Sequence, residues 1–238
     1  MKHCTIGLAA LIVLTGVGRV QASLTLDVYD WDVSMVTPIG QIETIVTAQT
    51  GQSHYNYTSA SGHPTNVNLG TYNSSFWVHE NSGTGEFTFG FIFSKDNSPD
   101  AGNDADLFFR IVDSDSDVYV SQSDDPGEAV EVSPGWFEGH YWYGYNTDGI
   151  AVSGVTGTDW TIMIDAVDFG DITAWYAASG EVTGYTDDLT LALTHEYRVV
   201  PKGNTPSGAP VMIPEPSTFI IWALLGTLAI GYAWWRRR

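Results

Sequence analysis

Residues 81–94, NSGTGEFTFGFIFS, decide the fold class of this chain. The first five residues are asparagine, serine, glycine and threonine, which favour a tight turn. The run that follows, residues 86–94, is rich in aromatic and β-branched side chains, which is typical of a strand. A polar turn leading into such a run predicts strands joined by short turns.

Similar extended runs occur throughout residues 23–200. They lie at 106–112, 141–145, 160–169 and 189–199, and a second turn-forming cluster occupies 153–157. No helical period and no long internal repeat accompanies them, which argues against solenoids and propellers. We therefore expect residues 23–200 to form an all-β domain, an antiparallel jelly-roll-like β-sandwich.

Residues 1–22 have the layout of a secretory signal peptide. A short basic start precedes an apolar stretch at 6–17, and a small-x-small site ends at Ala22. This pattern predicts cleavage between Ala22 and Ser23. Removing the segment also removes Cys4, the only cysteine in the chain, so we expect the exported domain to fold without disulfides.

The C-terminal end has the pattern of a membrane anchor. Residues 219–235 are 17 residues without a charge, and a helix of that length would span about 25 Å. An arginine cluster follows at 236–238, which favours a cytoplasmic location for this end and an external location for the domain. We expect a single transmembrane helix over about 217–235, preceded by a Pro/Gly-rich linker at 201–213.

Residues 214–238 combine three features in a fixed order. These are the triplet Pro214, Glu215 and Pro216, then the apolar segment, then Arg236, Arg237 and Arg238. This arrangement resembles the PEP-CTERM sorting signal of bacterial exported proteins. The resemblance implies that an exosortase, a membrane-embedded processing enzyme, recognises the tail of a single-pass inner-membrane precursor. It also implies a Gram-negative-type envelope, a final location at the cell surface or in the extracellular matrix, and exopolysaccharide as a partner.

The charge of the exported part narrows the choice of partners. Residues 23–213 carry four lysines and arginines against 27 acidic residues, a formal charge of −23. Such a surface repels nucleic acid and anionic lipid and attracts cations. We therefore expect no nucleic-acid partner.

Residues 96–106, DNSPDAGNDAD, form an acidic segment, and a second one, residues 113–117, follows one strand later. The oxygen-bearing side chains of the first segment are those of Asp96, Asp100, Asn103, Asp104 and Asp106. Calcium prefers six to eight oxygen ligands, which such a glycine-containing loop offers. The pattern favours a solvated acidic loop that keeps the protein soluble, with a calcium site as the alternative. Calcium is the only cofactor that the sequence raises.

A second cluster is aromatic. Its members are Trp136, Tyr141, Trp142, Tyr143 and Tyr145. In a strand, alternation places the three tyrosines on one face and Trp142 on the other. Such rings favour ordinary core and cross-strand packing. The alternative is that one face packs in the core while the other offers flat rings to the apolar faces of sugars.

Patterns of catalytic residues are missing from the sequence. It contains no HExxH, GxSxG or GxxxxGK[ST] motif, and the pairs at 79–80 and 195–196 are expected on strand surfaces. We therefore expect a non-enzymatic exported protein with a structural or adhesive role. The alternatives are a lectin-like carbohydrate-binding module, with or without calcium, and an enzyme whose carboxylate pair the pattern does not reveal.

Overall fold

The computed structural model describes residues 22–56, 64, 67, 73–93, 104–113, 117–123, 125, 127–142, 147–180 and 188–204. The predicted signal peptide (apart from Ala22), membrane helix and sorting signal lie outside this part of the chain. Among the described residues, the structure contains no helix with the length and apolarity that crossing a membrane requires.

The described residues form strands joined by turns, with one short helix, α1 (Gly51–Tyr55). The strands are β1 (Thr25–Asp30), β2 (Gly40–Glu43), β3 (Ile45–Thr47), β4 (Asn73–Asn81), β5 (Glu86–Phe93), β6 (Asp104–Asp113), β7 (Tyr119–Ser123), β8 (Ala129–Ser133), β9 (Trp136–Trp142), β10 (Asp148–Thr156), β11 (Trp160–Asp168), β12 (Ala174–Ala177), β13 (Leu189–Leu191) and β14 (Tyr197–Pro201). The prediction of an all-β chain is confirmed.

The strands are arranged in two sheets. Sheet A has the order β2-β1-β14-β11-β6-β9-β8, and sheet B has the order β13-β12-β4-β5-β10-β7. Sheet A is antiparallel throughout, whereas β3 and β12 both run parallel to β4. The prediction of purely antiparallel sheets is therefore wrong at β4. Parallel neighbours need long connections, and residues 48–72 between β3 and β4 provide one.

The two sheets pack face to face through a core of aromatic rings. Phe91 of sheet B lies 5.1 Å from Phe76 beside it and 4.8 Å from Phe109 across the interface, measured between ring centroids. Phe109 in turn stacks on Phe137 at 5.1 Å. Fully burying one such side chain stabilises a fold by about 1.5–3 kcal/mol, so this core substitutes for disulfides.

The predicted strand at 189–199 is two strands in different sheets. β13 ends at Leu191 in sheet B and β14 begins at Tyr197 in sheet A. The Tyr197 hydroxyl accepts a hydrogen bond from Ala192 N (2.6 Å) and donates one to Ala192 O (3.2 Å). Alternation of apolar and polar residues continues through this crossing, which is why the sequence did not reveal it.

The predicted turn at 153–157 is mostly strand. β10 runs to Thr156 with a bulge between Ser153 and Val155, and only Gly157 belongs to the turn that follows. Gly154 has φ 109°, and a Cβ there would lie 2.3 Å from Asp117 O. A glycine is required at this bulge for both reasons, so it does not mark a chain reversal.

Helix α1 covers part of the outer face of sheet B. Its N-cap Thr50 accepts a hydrogen bond from Ser53 N (3.2 Å), and its His54 ring stacks on His79 with centroids 4.2 Å apart. His79 and Glu80 are buried, so the prediction that this pair lies on a strand surface is wrong. The helix is too short to show a pattern in the sequence. Burial and the nearby His54 lower the pKa of His79 to about 3.

Candidate functional site

The outer face of sheet A is where β9 presents polar and aromatic side chains to solvent. Phe137 and Tyr141 point into the core, so the alternate residues of β9 point outward. The outward side chains are those of Trp136, Glu138, His140 and Trp142. All four are partly or fully exposed.

Strand β6 lies beside β9 and adds three outward side chains. Their register partners on β9 are known: Asp106 pairs with His140, Phe108 with Glu138, and Arg110 with Trp136. Directly opposed residues have Cβ atoms about 5 Å apart, so these pairs are in contact range. We call the set of Asp106, Phe108, Arg110, Trp136, Glu138, His140 and Trp142 the β6–β9 face.

One end of the β6–β9 face is aromatic and cationic. The guanidinium carbon of Arg110 lies 4.9 Å from the centre of the Trp136 ring. The Phe108 ring lies 5.2 Å from the same indole at an angle of 52°. A cation over an indole is an attractive contact of about 0.5–1 kcal/mol at an exposed site, so Trp136 and Arg110 orient each other.

The middle of the face is polar. His140 Nδ1 donates to Asp106 Oδ1 at 2.5 Å, and His140 Nε2 lies 3.7 Å from Glu138 Oε1. The hydrogen bond to Asp106, with the charges of Asp106 and Glu138, raises the pKa of His140 above its ordinary value. Because the imidazole is 69% exposed, this pair contributes little to folding stability. It instead places two carboxylates and an imidazole at the surface.

The other end of the face is Trp142. Its side chain is 58% exposed, although indole is among the side chains most costly to leave in water. Its backbone N–H donates to Asp148 Oδ2 at 2.7 Å, which fixes the end of β9. Trp136 and Trp142 are six residues apart on one strand, a separation of about 20 Å. The face is therefore long enough for an extended ligand.

Part of the outer face of sheet A, at β1, β14 and β11, is buried. Tyr29, Met163 and Val200 belong to no core cluster and are nevertheless buried. Arg198 is also buried, with its guanidinium bonded to Asp165 at 3.2 Å and to Glu196 at 3.1 Å. Trp31 stacks on it at 4.8 Å. Among the described residues, the outward side chains of β6 and β9 are therefore more accessible to solvent than Met163 and Arg198 on β11 and β14.

A second group of chemically active side chains joins β1 to the turn before β14. Ligand atoms of Asp30, Asp32 and His195 lie within 4.8 Å of one another. His195 Nδ1 donates to Asp30 Oδ2 at 2.6 Å, and Asp32 Oδ2 accepts from Glu196 N at 2.8 Å. The hydrogen bond that His195 donates to Asp30, ahead of the other influences, raises the pKa of His195. These hydrogen bonds explain the cluster as a structural link between the end of β1 and the turn before β14.

The predicted calcium ligands are only partly described. Asp104 and Asp106 both belong to β6, which begins two residues earlier than the predicted strand. Asp106 is bonded to His140 across the sheet. Asp96, Asp100 and Asn103 lie outside the described residues. The alternatives of a calcium site and a solvated loop both remain predictions.

The predicted sugar-binding aromatics divide between the two faces of β9. Tyr141 is 1% exposed and stacks on Phe93 at 4.9 Å, so its ring is not offered to a ligand. Trp136 and Trp142 point outward. The sugar-binding alternative required one face of this strand to present its rings in that way. Tyr143 and Tyr145 lie outside the described residues.

The predicted processing residues lie at or beyond the ends of the described domain. Ala22 and Ser23 are exposed and directly precede β1. Pro214, Glu215, Pro216 and the three C-terminal arginines lie outside the described residues. β14 includes Pro201 and Lys202 N donates to Thr25 O at 2.9 Å, so the ordered backbone continues past the predicted start of the linker.

Sequence reasoning did not identify Phe108, Arg110 or Glu138 as members of a site. The signal was present in the alternation of β6 and β9, but only their register shows which outward residues meet. The face is thus a property of strand pairing. No family model, curated protein or solved structure matches this chain.

Proposed function

We propose that this chain is an exported, non-enzymatic adhesive protein of the cell surface or extracellular matrix, and that its β6–β9 face binds polysaccharide. The observation that carries the proposal is the exposure of Trp142, 58%, on the same sheet face as Trp136. An exposed indole on a regular strand is costly unless it has a partner. Here it is combined with carboxylates and an imidazole rather than with further apolar side chains.

The chemistry of the face matches that of a sugar. Pyranose rings have flat C–H surfaces that stack on aromatic rings, and hydroxyl groups at their edges that donate and accept hydrogen bonds. Trp136 and Trp142 supply the rings, while Asp106 and Glu138 accept hydrogen bonds from hydroxyls. The separation of about 20 Å between the two indoles suits a chain of several sugar units. A polymer is therefore a better fit than a monosaccharide.

Export and anchoring complete the proposal. Residues 1–22 act as the signal peptide, and residues 214–238 act as a PEP-CTERM tail that an exosortase processes after insertion in the inner membrane. The fold is compatible with this order, because Leu26 pairs with Pro201 and both ends of the described domain lie at the same end of the neighbouring strands β1 and β14. Processing at either end leaves the two sheets intact.

Polysaccharide pull-down with the full-length chain, extracted in detergent, tests the binding role. Trp142→Ala is expected to weaken binding about three- to tenfold, because one stacking contact is lost. Tyr119→Ala is the matched control, since Tyr119 is a 51% exposed aromatic residue on sheet B. A chelator arm tests the predicted calcium dependence. Equal binding by wild type and Trp142→Ala, or loss in the Tyr119 variant alone, would contradict the proposal.

A further inference from the structure

We infer that Arg110 makes the β6–β9 face selective for acidic polysaccharides, with its guanidinium binding the carboxylate of a uronic acid unit. This inference rests on the proposed function and names the class of its ligand. Positively charged residues are scarce in this chain, which has nine lysines and arginines against 28 acidic residues.

Arg110 has no carboxylate partner among the described residues. The positively charged partners of the ion pairs there are Arg198, His140 and His195. Arg198 and His140 each lie close to two carboxylates. The guanidinium of Arg110 lies over the Trp136 ring. In so acidic a protein, an arginine on a sheet face would ordinarily pair with a neighbouring carboxylate. This one is held on an indole instead, which leaves its charge available.

The burial of its individual nitrogen atoms shows which edge of the Arg110 guanidinium is available to a ligand. Nε of Arg110 is buried without a hydrogen-bond partner. The two terminal nitrogens are not buried in this way, and no hydrogen bond occupies them in the described structure. The stem is therefore fixed between its neighbours while the terminal fork faces outward. A planar fork of two N–H donors matches the two oxygens of a carboxylate.

The surroundings restrict which anions are able to bind. Glu138 and Asp165 lie on the same sheet face, diagonally adjacent to Arg110, and Asp165 is already bonded to Arg198. These carboxylates, and the strongly negative domain, oppose a ligand that offers charge alone. Repulsion from distant charges is screened beyond about 8 Å at physiological salt, whereas stacking and the paired hydrogen bonds act at contact. The favoured ligand is therefore one that brings a sugar ring as well as a carboxylate.

A uronic acid polymer meets both requirements. Its pyranose units stack on Trp136 and Trp142, while a carboxylate reaches the fork of Arg110 between them. The hydroxyl groups of the same units reach Asp106 and Glu138. A neutral polymer makes the stacking contacts but leaves the guanidinium without a partner.

The experiment compares two forms of one polymer on the full-length chain. Polygalacturonate and its methyl ester share a backbone and differ in charge. Wild type is expected to bind the free acid about tenfold or more tightly than the ester. Arg110→Gln is expected to remove the preference, so that acid and ester bind the variant equally. Ester binding falls less than acid binding, because the ester loses only the orientation of Trp136 by the guanidinium. Arg110→Lys, which keeps the charge but not the fork, is expected to show an intermediate preference.

The controls separate this inference from the proposed function. Lys202→Gln removes a positive charge that hydrogen-bonds Gln41, away from the face, and is expected to change nothing. Equal binding of acid and ester by wild type would overturn the role of Arg110 and needs no variant to fold. The polysaccharide face would still stand in that case if Trp142→Ala weakened both. Absence of binding to every polymer would instead overturn the proposed function.

Discussion

At the scale of single residues, His79 shows how burial converts a common side chain into a pH-dependent stability element. Its ring is fully buried, stacked on His54, and bonded through Nε2 to Thr47 Oγ1 at 2.8 Å. Its pKa is lowered to about 3 by burial and by the charge that His54 can carry. The neutral form is therefore the one that the fold accepts.

Acidification is expected to destabilise the protein through His79. The folded pKa lies below the unfolded value of about 6.5, so the contribution is complete above that pH and is lost as the pH falls toward 3. Between pH 6.5 and 5 the loss amounts to about 2 kcal/mol in the free energy of unfolding. Denaturant unfolding at several pH values measures it. His79→Gln should flatten this dependence, whereas His140→Gln, at an exposed site, should not.

At the scale of elements, helix α1 is held against sheet B by close contact at a glycine. A Cβ at Gly51 would lie 2.0 Å from Thr88 Oγ1 and 2.6 Å from Ser153 Oγ. Those two hydroxyls bond each other at 2.8 Å, and Ser153 Oγ donates to Ser121 Oγ at 2.8 Å. Neither short side chain is able to move away without breaking that chain of hydrogen bonds.

Gly51→Ala is expected to lower the free energy of unfolding by about 1–3 kcal/mol through overpacking. Thr88→Ala removes two of the three atoms nearest to the new methyl group, Oγ1 and Cγ2, and leaves Ser153 Oγ. The double variant Gly51→Ala/Thr88→Ala should therefore be more stable than the sum of the single effects predicts. Thermal or denaturant unfolding of the four proteins measures the coupling. Strict additivity would show that α1 does not rest on Thr88.

The elements also show what the sequence was able to predict. The strands β5, β6 and β11 follow from aromatic and β-branched runs, because their period of two and their composition are local properties. The crossing at 192–196 and the bulge at Gly154 were not predicted, since both depend on what lies opposite in space. The β6–β9 face also combines local and non-local information. Trp136 and Trp142 were visible in the sequence as an aromatic cluster, whereas only the register of β6 against β9 places Arg110 beside Trp136.

At the scale of the whole molecule, the position of the chain ends connects the fold to the predicted anchor. β1 and β14 are neighbouring strands and Leu26 pairs with Pro201, so the described domain begins and ends at the same end of these two strands. The β6–β9 face lies on the opposite side of β11 from β14 in the same sheet. The chain that continues from β14 therefore starts two strands away from β6.

The tail is expected to hold the precursor in the membrane. Twelve residues, 205–216, separate the described domain from the predicted helix and reach no farther than roughly 40 Å even when fully extended. In a host with exosortase, the full chain should fractionate with membranes before processing. Deleting residues 214–238 should release it as a soluble exported protein with the same melting temperature, because the described strands all lie between Thr25 and Pro201. Pro214→Ala/Pro216→Ala keeps the apolar segment and the arginines, so it should remain membrane-held and accumulate uncut. Release of this variant, or retention of the deletion, would contradict the separate roles of triplet and anchor.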